Sequence, residues 1–109
     1  IIVAGFSQGG AVAYQAALTY PEKLGGLMAM STYFATKDSI TTNAANQDIN
    51  IAVMHGSQDP VVSPILGEQA VSSLQSMGYA PSYKTYAMPH SVCGEQVGDI
   101  SQWLVERLS

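Results

Sequence analysis

Residues 1–10 read Ile1-Ile2-Val3-Ala4-Gly5-Phe6-Ser7-Gln8-Gly9-Gly10. The first five form a short, mostly β-branched run without a polar face, which is typical of a strand covered on both sides in a parallel sheet. From Gln8 to Tyr20, small and straight-chain residues predict a helix. Pro21 ends that helix, because the residue before a proline disfavours helical backbone. A strand followed at once by a helix indicates an α/β protein.

The rest of the chain repeats this alternation. Short apolar or alternating runs predict three further strands: Leu24–Met30, Ile51–His55 and Ser82–Ala87. Apolar residues at helical spacing predict two further helices: Ser63–Gly78 and, approximately, Val92–Leu108. The polar segment Thr32–Asn50 has no periodicity, and we interpret it as a surface loop above a sheet edge. We therefore expect one domain, residues 1–109, with about four parallel strands and about three helices in three layers.

Composition and charge exclude several classes of protein. Four Lys and Arg against eight Asp and Glu give a net charge of -4 without a basic cluster, which argues against nucleic-acid binding. No apolar run reaches the roughly 18 residues that span a bilayer, so we expect a soluble protein. The single cysteine, Cys93, excludes an internal disulfide and a cysteine-built zinc site, and it is compatible with a cytoplasmic location. We expect neither a metal nor a cofactor.

The stretch Gly5-Phe6-Ser7-Gln8-Gly9 matches the pattern G-x-S-x-G between the first predicted strand and helix. In that context the serine lies on a sharp, strained turn with its oxygen exposed. We expect the two flanking glycines to be required because a side chain there would strike the neighbouring strand or helix. The backbone N–H of Gln8, at the helix N-terminus, is the expected first donor to an oxyanion. The alternative is a glycine-rich turn that happens to contain a serine.

A serine nucleophile needs a base, and the chain has two histidines. His90 follows the last predicted strand in a loop from which it can reach across the sheet, so it is the better candidate. His55 ends a strand, and we interpret it as a structural residue held by the turn Gly56–Pro60. Cys93 lies three residues after His90, but we interpret it as a small buried hydrophobic residue rather than a thiol nucleophile.

The histidine in turn needs a carboxylate, expected between the serine and the histidine along the chain. Asp59 comes just after the strand that ends at His55, with Pro60 behind it to fix the backbone, and we expect it on the same sheet edge as Ser7 and His90. The other candidates are less suitable because Asp38 and Asp48 lie in the polar loop and Glu68 lies inside a helix.

Three blocks together resemble the carboxylesterase, phospholipase and acyl-protein thioesterase family of the α/β-hydrolases. They are Gly5-Phe6-Ser7-Gln8-Gly9-Gly10-Ala11, His55-Gly56-Ser57-Gln58-Asp59-Pro60-Val61-Val62 and Pro89-His90-Ser91-Val92-Cys93. The resemblance implies ester or thioester hydrolysis through an acyl-enzyme, with Ser7 as nucleophile, His90 as general base and acid, and Asp59 as its orienting partner. It covers only the second half of that fold, a truncated α/β-hydrolase.

The resemblance also implies a second oxyanion donor from a segment without a counterpart in these residues. The first strand would be central in the whole fold, and as an uncovered edge it is a template for pairing with another chain. We therefore expect a homodimer or a higher homo-oligomer formed through this strand or the exposed sheet face. Because residue 1 is isoleucine, the chain fits a fragment or a processed product.

The expected substrate is a small or short-acyl ester at a shallow, open site. The alternatives are a thioesterase or lysophospholipase that acts on longer acyl chains, and a catalytically silent half-domain that needs a partner chain. An acyl pocket lined by Met54, Met88, Tyr33 and Phe34 is a further hypothesis, although such residues are more often part of a core.

Overall fold

The computed structural model describes residues 1–108, which form an α/β protein. The elements in chain order are β1 Ile2–Phe6, α1 Gln8–Thr19, β2 Gly26–Met30, a short 3-10 helix at Ala44–Asn46, β3 Ile51–Gly56, α2 Pro64–Ser76, β4 Ser82–Tyr86 and α3 Gly94–Leu108. The strands form one sheet in the order β1-β2-β3-β4, and every neighbouring pair is parallel. The predicted fold class, with four parallel strands and three helices, is confirmed.

Each face of the sheet carries its own apolar core, and this produces three layers. Helices α1 and α2 cover one face, where the buried cluster includes Tyr14, Leu18, Leu27, Ala29, Val53 and Leu74. Helix α3 covers the other face, where Ile100 and Trp103 pack against Met28, Ala52 and Met54. Successive strand residues therefore enter opposite cores, as the two-residue period of a strand requires.

The segment between β2 and β3 is a loop, as predicted, but it is more than a surface loop. Asn46 is buried, its Oδ1 accepts from the N–H of Leu24 at 2.7 Å, and its Nδ2 donates to the carbonyls of Tyr20 and Glu22 at 3.1 and 2.8 Å. One amide side chain thus satisfies three backbone groups in the connection from α1 to β2. Because buried backbone groups need partners, this contact fixes the loop to the body of the protein.

The parallel strands place all their carboxyl ends on one edge of the sheet, and the candidate residues follow those ends. Ser7 comes directly after β1, Asp59 lies three residues after β3, and His90 lies four residues after β4. β1 pairs with β2 only, among residues 1–108, and its Phe6 remains 37% exposed. The sheet is therefore open on the β1 side within the described part of the chain.

The two glycines of the G-x-S-x-G stretch differ in what they permit. A Cβ at Gly5 would lie 2.2 Å from the carbonyl oxygen of Gly9, so a side chain there is excluded. A Cβ at Gly9 would meet nothing within 4 Å, so the expectation that Gly9 is required for space is wrong. Gly10 is the second crowded position, because a Cβ there would lie 2.4 Å from Cγ2 of Thr32. Close approach of α1 to the strands thus depends on Gly5 and Gly10.

We expect Gly5→Ala to lower the free energy of unfolding by about 1–3 kcal/mol or more, because an added methyl group must displace the backbone of α1. Gly9→Ala is the matched control in the same turn and should be neutral or stabilising by up to about 1 kcal/mol, because alanine favours helical backbone. Urea unfolding of both variants measures the difference. Equal midpoints for the two would contradict this assignment.

Candidate active site

The backbone of Ser7 is held in an unusual conformation at the junction of β1 and α1. Its φ is 57° and its ψ is -125°, in the region that residues other than glycine rarely occupy. Serine at this N-cap position normally accepts a hydrogen bond from its own helix through its hydroxyl, but here it makes no such bond. The Oγ of Ser7 is therefore available to another group.

That other group is His90, which links Ser7 to Asp59. The Nε2 of His90 lies 2.9 Å from the Oγ of Ser7, and its Nδ1 lies 2.7 Å from the Oδ2 of Asp59. A carboxylate accepts from Nδ1–H, which leaves Nε2 without a proton and able to accept from the serine hydroxyl. The structure thus brings together the three residues that the sequence analysis selected, in an orientation that suits proton transfer from Ser7 to His90.

The carboxylate of Asp59 is fixed by the loop that carries it. Its Oδ1 accepts from the N–H groups of Val61 and Val62, each at 2.8 Å, and its side chain is fully buried. Burial by itself raises the pKa of a carboxyl group, but the N–H donors of Val62, His90 and Val61 outweigh it and hold the pKa of Asp59 below its ordinary value. Asp59 is therefore an oriented anion beside the imidazole of His90.

His55 is fully buried next to the same loop, and it does not join the chain that reaches Ser7. Its Nε2 donates to the carbonyl of Val62 at 2.7 Å and lies 3.6 Å from Oδ2 of Asp59. The turn Gly56–Pro60 was the expected partner of His55, but the hydrogen bond goes to Val62, two residues beyond that turn. His55 stabilises the loop that orients Asp59.

Two further side chains stand beside His90 in sequence or in space. The ring of Phe6 packs against the imidazole with centroids 4.9 Å apart, which limits the rotation of His90. Cys93 precedes α3, where its carbonyl accepts from the N–H of Val97, and its side chain is partly buried against the α3-side core. The expectation of a buried, core-like Cys93 is thus correct about its neighbours but overstates its burial.

The residues suggested for an acyl pocket are mostly part of the two cores. Phe34 stacks on Tyr14 at 4.8 Å in one core, and Met54 and Met88 are buried in the other. Tyr33 is the exception, since it is half-buried and, with Phe34 and Leu66, borders a cavity of about 100 Å³. A larger cavity, of about 280 Å³, lies between α3 and strands β3 and β4 and includes none of the three candidate catalytic residues.

One residue at the site was not singled out from the sequence. Thr32 lies two residues after β2, is 2% exposed, and donates its Oγ1–H to the backbone carbonyl of Ser7 at 2.5 Å. The sequence analysis placed it at the start of a polar loop. Its position just beyond the end of a strand, next to the strand that carries Ser7, was the available signal.

The parallel sheet, with its helices on both faces and a strained serine directly after β1, has the architecture of one part of an α/β-hydrolase fold. The family model described as phospholipase/carboxylesterase matches residues 1–107. The chain therefore belongs to the phospholipase/carboxylesterase family.

Individual relatives agree with this assignment. The chain is 37% identical to acyl-protein thioesterase 1 of Neurospora crassa and 33% identical to that of Gibberella zeae, in each case over 99% of the chain and 46% and 48% of the relative. The crystal structure of Arabidopsis thaliana SOBER1 superposes with a TM-score of 0.89 at 26% identity, over 99% of the chain and 53% of that protein. The chain thus spans about half the length of the relatives that it matches.

Within residues 1–108, no helix combines the length and the apolar character needed to cross a bilayer. Across the same residues, no group of three or more His, Cys, Asp or Glu side chains is arranged to hold a metal ion.

We predict that Asp59→Asn destabilises the protein more at pH 7 than at pH 3. A carboxyl group whose folded pKa is depressed stabilises the fold above its unfolded pKa, about 3.9, and this contribution is lost as the pH falls through the folded value. Urea unfolding at both pH values measures the change. Asp48→Asn, in the exposed part of the loop, controls for the loss of one charge, and a deficit for Asp59→Asn that is the same at both pH values would contradict the prediction.

Proposed function

We propose that this chain provides the catalytic residues for hydrolysis of carboxylic esters through an acyl-enzyme intermediate. The observation that supports this most directly is the continuous hydrogen-bonded chain from Ser7 Oγ through His90 to Asp59. The hydroxyl of Ser7 makes no capping hydrogen bond to α1 and instead bonds an oriented imidazole, which is the arrangement that nucleophilic catalysis needs.

In the proposed reaction, His90 Nε2 takes the proton of Ser7 as Oγ attacks the ester carbonyl carbon. The oxygen of the tetrahedral intermediate becomes negative, and the N–H of Gln8 at the start of α1 donates to it. His90 then gives its proton to the leaving alcohol, and the C–O bond of the ester breaks. A water molecule then attacks the carbonyl carbon of the acyl-enzyme while His90 takes one of its protons. The bond between that carbon and Ser7 Oγ breaks, His90 returns the proton to Oγ, and the carboxylic acid leaves. Asp59 stabilises the imidazolium in both halves.

We further propose small or short-acyl esters as substrates. Met54, Met88 and Phe34 are buried in the two cores, and the cavities that Met54 and Phe34 border include neither Ser7 nor His90, so these residues form no acyl pocket beside the serine. The cavity beside Tyr33 and Leu66 is small, about 100 Å³, and it too includes none of the three candidate catalytic residues.

A thioesterase that acts on acylated proteins is the second candidate, and the names of the curated relatives favour it. The fungal relatives at 33–37% identity are acyl-protein thioesterases. A thioester passes through the same acyl-enzyme with a thiolate as the leaving group, so the proposed roles of Ser7, His90 and Asp59 are unchanged. The two candidates differ in the substrate that binds beyond the reacting carbonyl.

Hydrolysis of p-nitrophenyl esters from acetate to dodecanoate, beside matched thioesters, tests these proposals. We expect Ser7→Ala to lower kcat by about three powers of ten or more, because the nucleophile is lost. Ser39→Ala, in the loop between β2 and β3, should leave turnover unchanged. A rate that rises with acyl length, or a preference for thioesters, favours the thioesterase. Turnover without dependence on Ser7, or no turnover at all, contradicts both candidates and favours a silent half-domain that needs a partner chain.

We also propose that the chain self-associates through the β1 side of the sheet. The outer edge of β1 has no partner strand among residues 1–108, and Ile1 is 87% exposed beside it. Pairing of two β1 strands would join two four-stranded sheets into one of about eight strands and cover the β1 edge of both copies. Light scattering after size-exclusion chromatography should give the mass of a dimer or larger. Ala4→Pro should reduce this mass, because Ile1 and Ser7 bond β2 and the alternation of the strand therefore turns the N–H of Ala4 to the outer edge. A monomer at micromolar concentration would contradict self-association.

A further inference from the structure

Thr32 forms a hydrogen bond with the backbone of Ser7. Its hydroxyl is 2.5 Å from the backbone carbonyl oxygen of Ser7. A carbonyl oxygen only accepts, so the hydroxyl is the donor and its proton lies on the line between the two oxygens. Thr32 is almost fully buried, so bulk water does not compete with the carbonyl for this hydroxyl.

The carbonyl of Ser7 belongs to the same peptide unit as the N–H of Gln8. A peptide unit is planar and rigid, so its C=O and N–H point in opposite directions and cannot turn independently. A donor that fixes the carbonyl on one side therefore fixes the direction of the N–H on the other. Hydrogen bonds to a shared amide also polarise one another, which makes the N–H of Gln8 a stronger donor.

The surroundings leave this peptide unit little freedom. The carbonyl of Ser7 also accepts from the N–H of Gly10 at 3.0 Å, and the preceding peptide unit is held as well, because the N–H of Ser7 donates to the carbonyl of Met30 at 2.9 Å. Gly10 provides the space for Thr32, because a Cβ at that position would lie within 2.7 Å of three atoms of the threonine side chain. The end of β2 and the first turn of α1 thus hold the Ser7–Gln8 peptide from two sides.

We propose that Thr32 is a positioning residue for the oxyanion, which aims and polarises the N–H of Gln8 through the carbonyl of Ser7. This inference rests on the proposed function, since it assigns a role in the same reaction. Thr32 does not touch the substrate and acts only through the peptide unit. Its hydroxyl should therefore matter for the tetrahedral transition state and not for binding of the planar ester.

The test compares Thr32→Ser with Thr32→Ala, which differ from each other only in the hydroxyl group. Both lose the same methyl group, and neither adds an atom to the crowded space beside Gly10. We expect Thr32→Ala to lower kcat about tenfold relative to Thr32→Ser with KM within about twofold, a smaller loss than the 100–1,000-fold typical of removing an oxyanion donor outright. The inhibition constant of phenylboronic acid, which forms a tetrahedral adduct with a serine, should rise in parallel with the loss of kcat.

A readout in the resting protein separates this inference from the proposed function. In ¹⁵N-labelled protein, the amide proton of Gln8 should move upfield in Thr32→Ala and stay near its original position in Thr32→Ser. Urea midpoints of the two variants identify any difference that comes from folding alone. Equal kcat in the two variants, a loss confined to KM, or a Gln8 amide that does not distinguish them would overturn the role of Thr32. If the unaltered chain shows no Ser7-dependent turnover, the proposed function fails, and the Gln8 amide still decides whether Thr32 polarises this peptide.

Discussion

The left-handed backbone of Ser7 is the constraint on which the rest of the site depends. With a φ of 57°, Ser7 turns the chain from β1 into α1 within one residue and directs its hydroxyl away from the helix that it precedes. Such a conformation costs on the order of 1–3 kcal/mol and persists only where its surroundings enforce it. Here Gly5 lets the helix come close, and the carbonyl of Met30 and the hydroxyl of Thr32 hold the two peptide groups of Ser7.

The parallel sheet brings together residues that lie far apart along the chain. Three crossover connections return the chain to the same edge of the sheet, so that Ser7, Asp59 and His90 meet although the first and last are 83 residues apart. Each also has local support that does not depend on the other two. Asp59 is held by the N–H groups of its own loop, and the ring of Phe6 packs against His90. The site therefore combines long-range placement by the sheet with short-range fixing by neighbouring residues.

The sequence was sufficient for the parts of the molecule that local patterns control. β-branched runs, the proline after α1 and the apolar spacing of α2 predicted the elements to within one or two residues at most ends, and the parallel order placed the candidate residues on one edge. Local patterns could not predict the contacts between segments that lie far apart along the chain. The sequence around Asn46 does not indicate that its side chain bonds a connection more than twenty residues away. The sequence around Gly9 likewise does not indicate that there is space for a side chain at Gly9 but none at Gly10. Met54 and Phe34 were ambiguous for the same reason, since an apolar residue near a strand end suits a pocket or a core equally well. The catalytic roles of Ser7, Asp59 and His90 stay predictions.

The long separation between Ser7 and His90 has a consequence for how the site comes into being. The hydrogen bond between them cannot form in any partly folded chain that lacks β4 on the sheet, however well β1, β2 and α1 are formed. Contacts between residues so far apart along the chain are expensive in loop entropy and are typical of slow steps in the folding of parallel sheets. Local loss of the C-terminal strand would thus abolish the proton acceptor of Ser7 while the serine keeps its backbone geometry. Any hydrolytic turnover would then report the assembly of all four strands β1–β4 more sharply than helix content does.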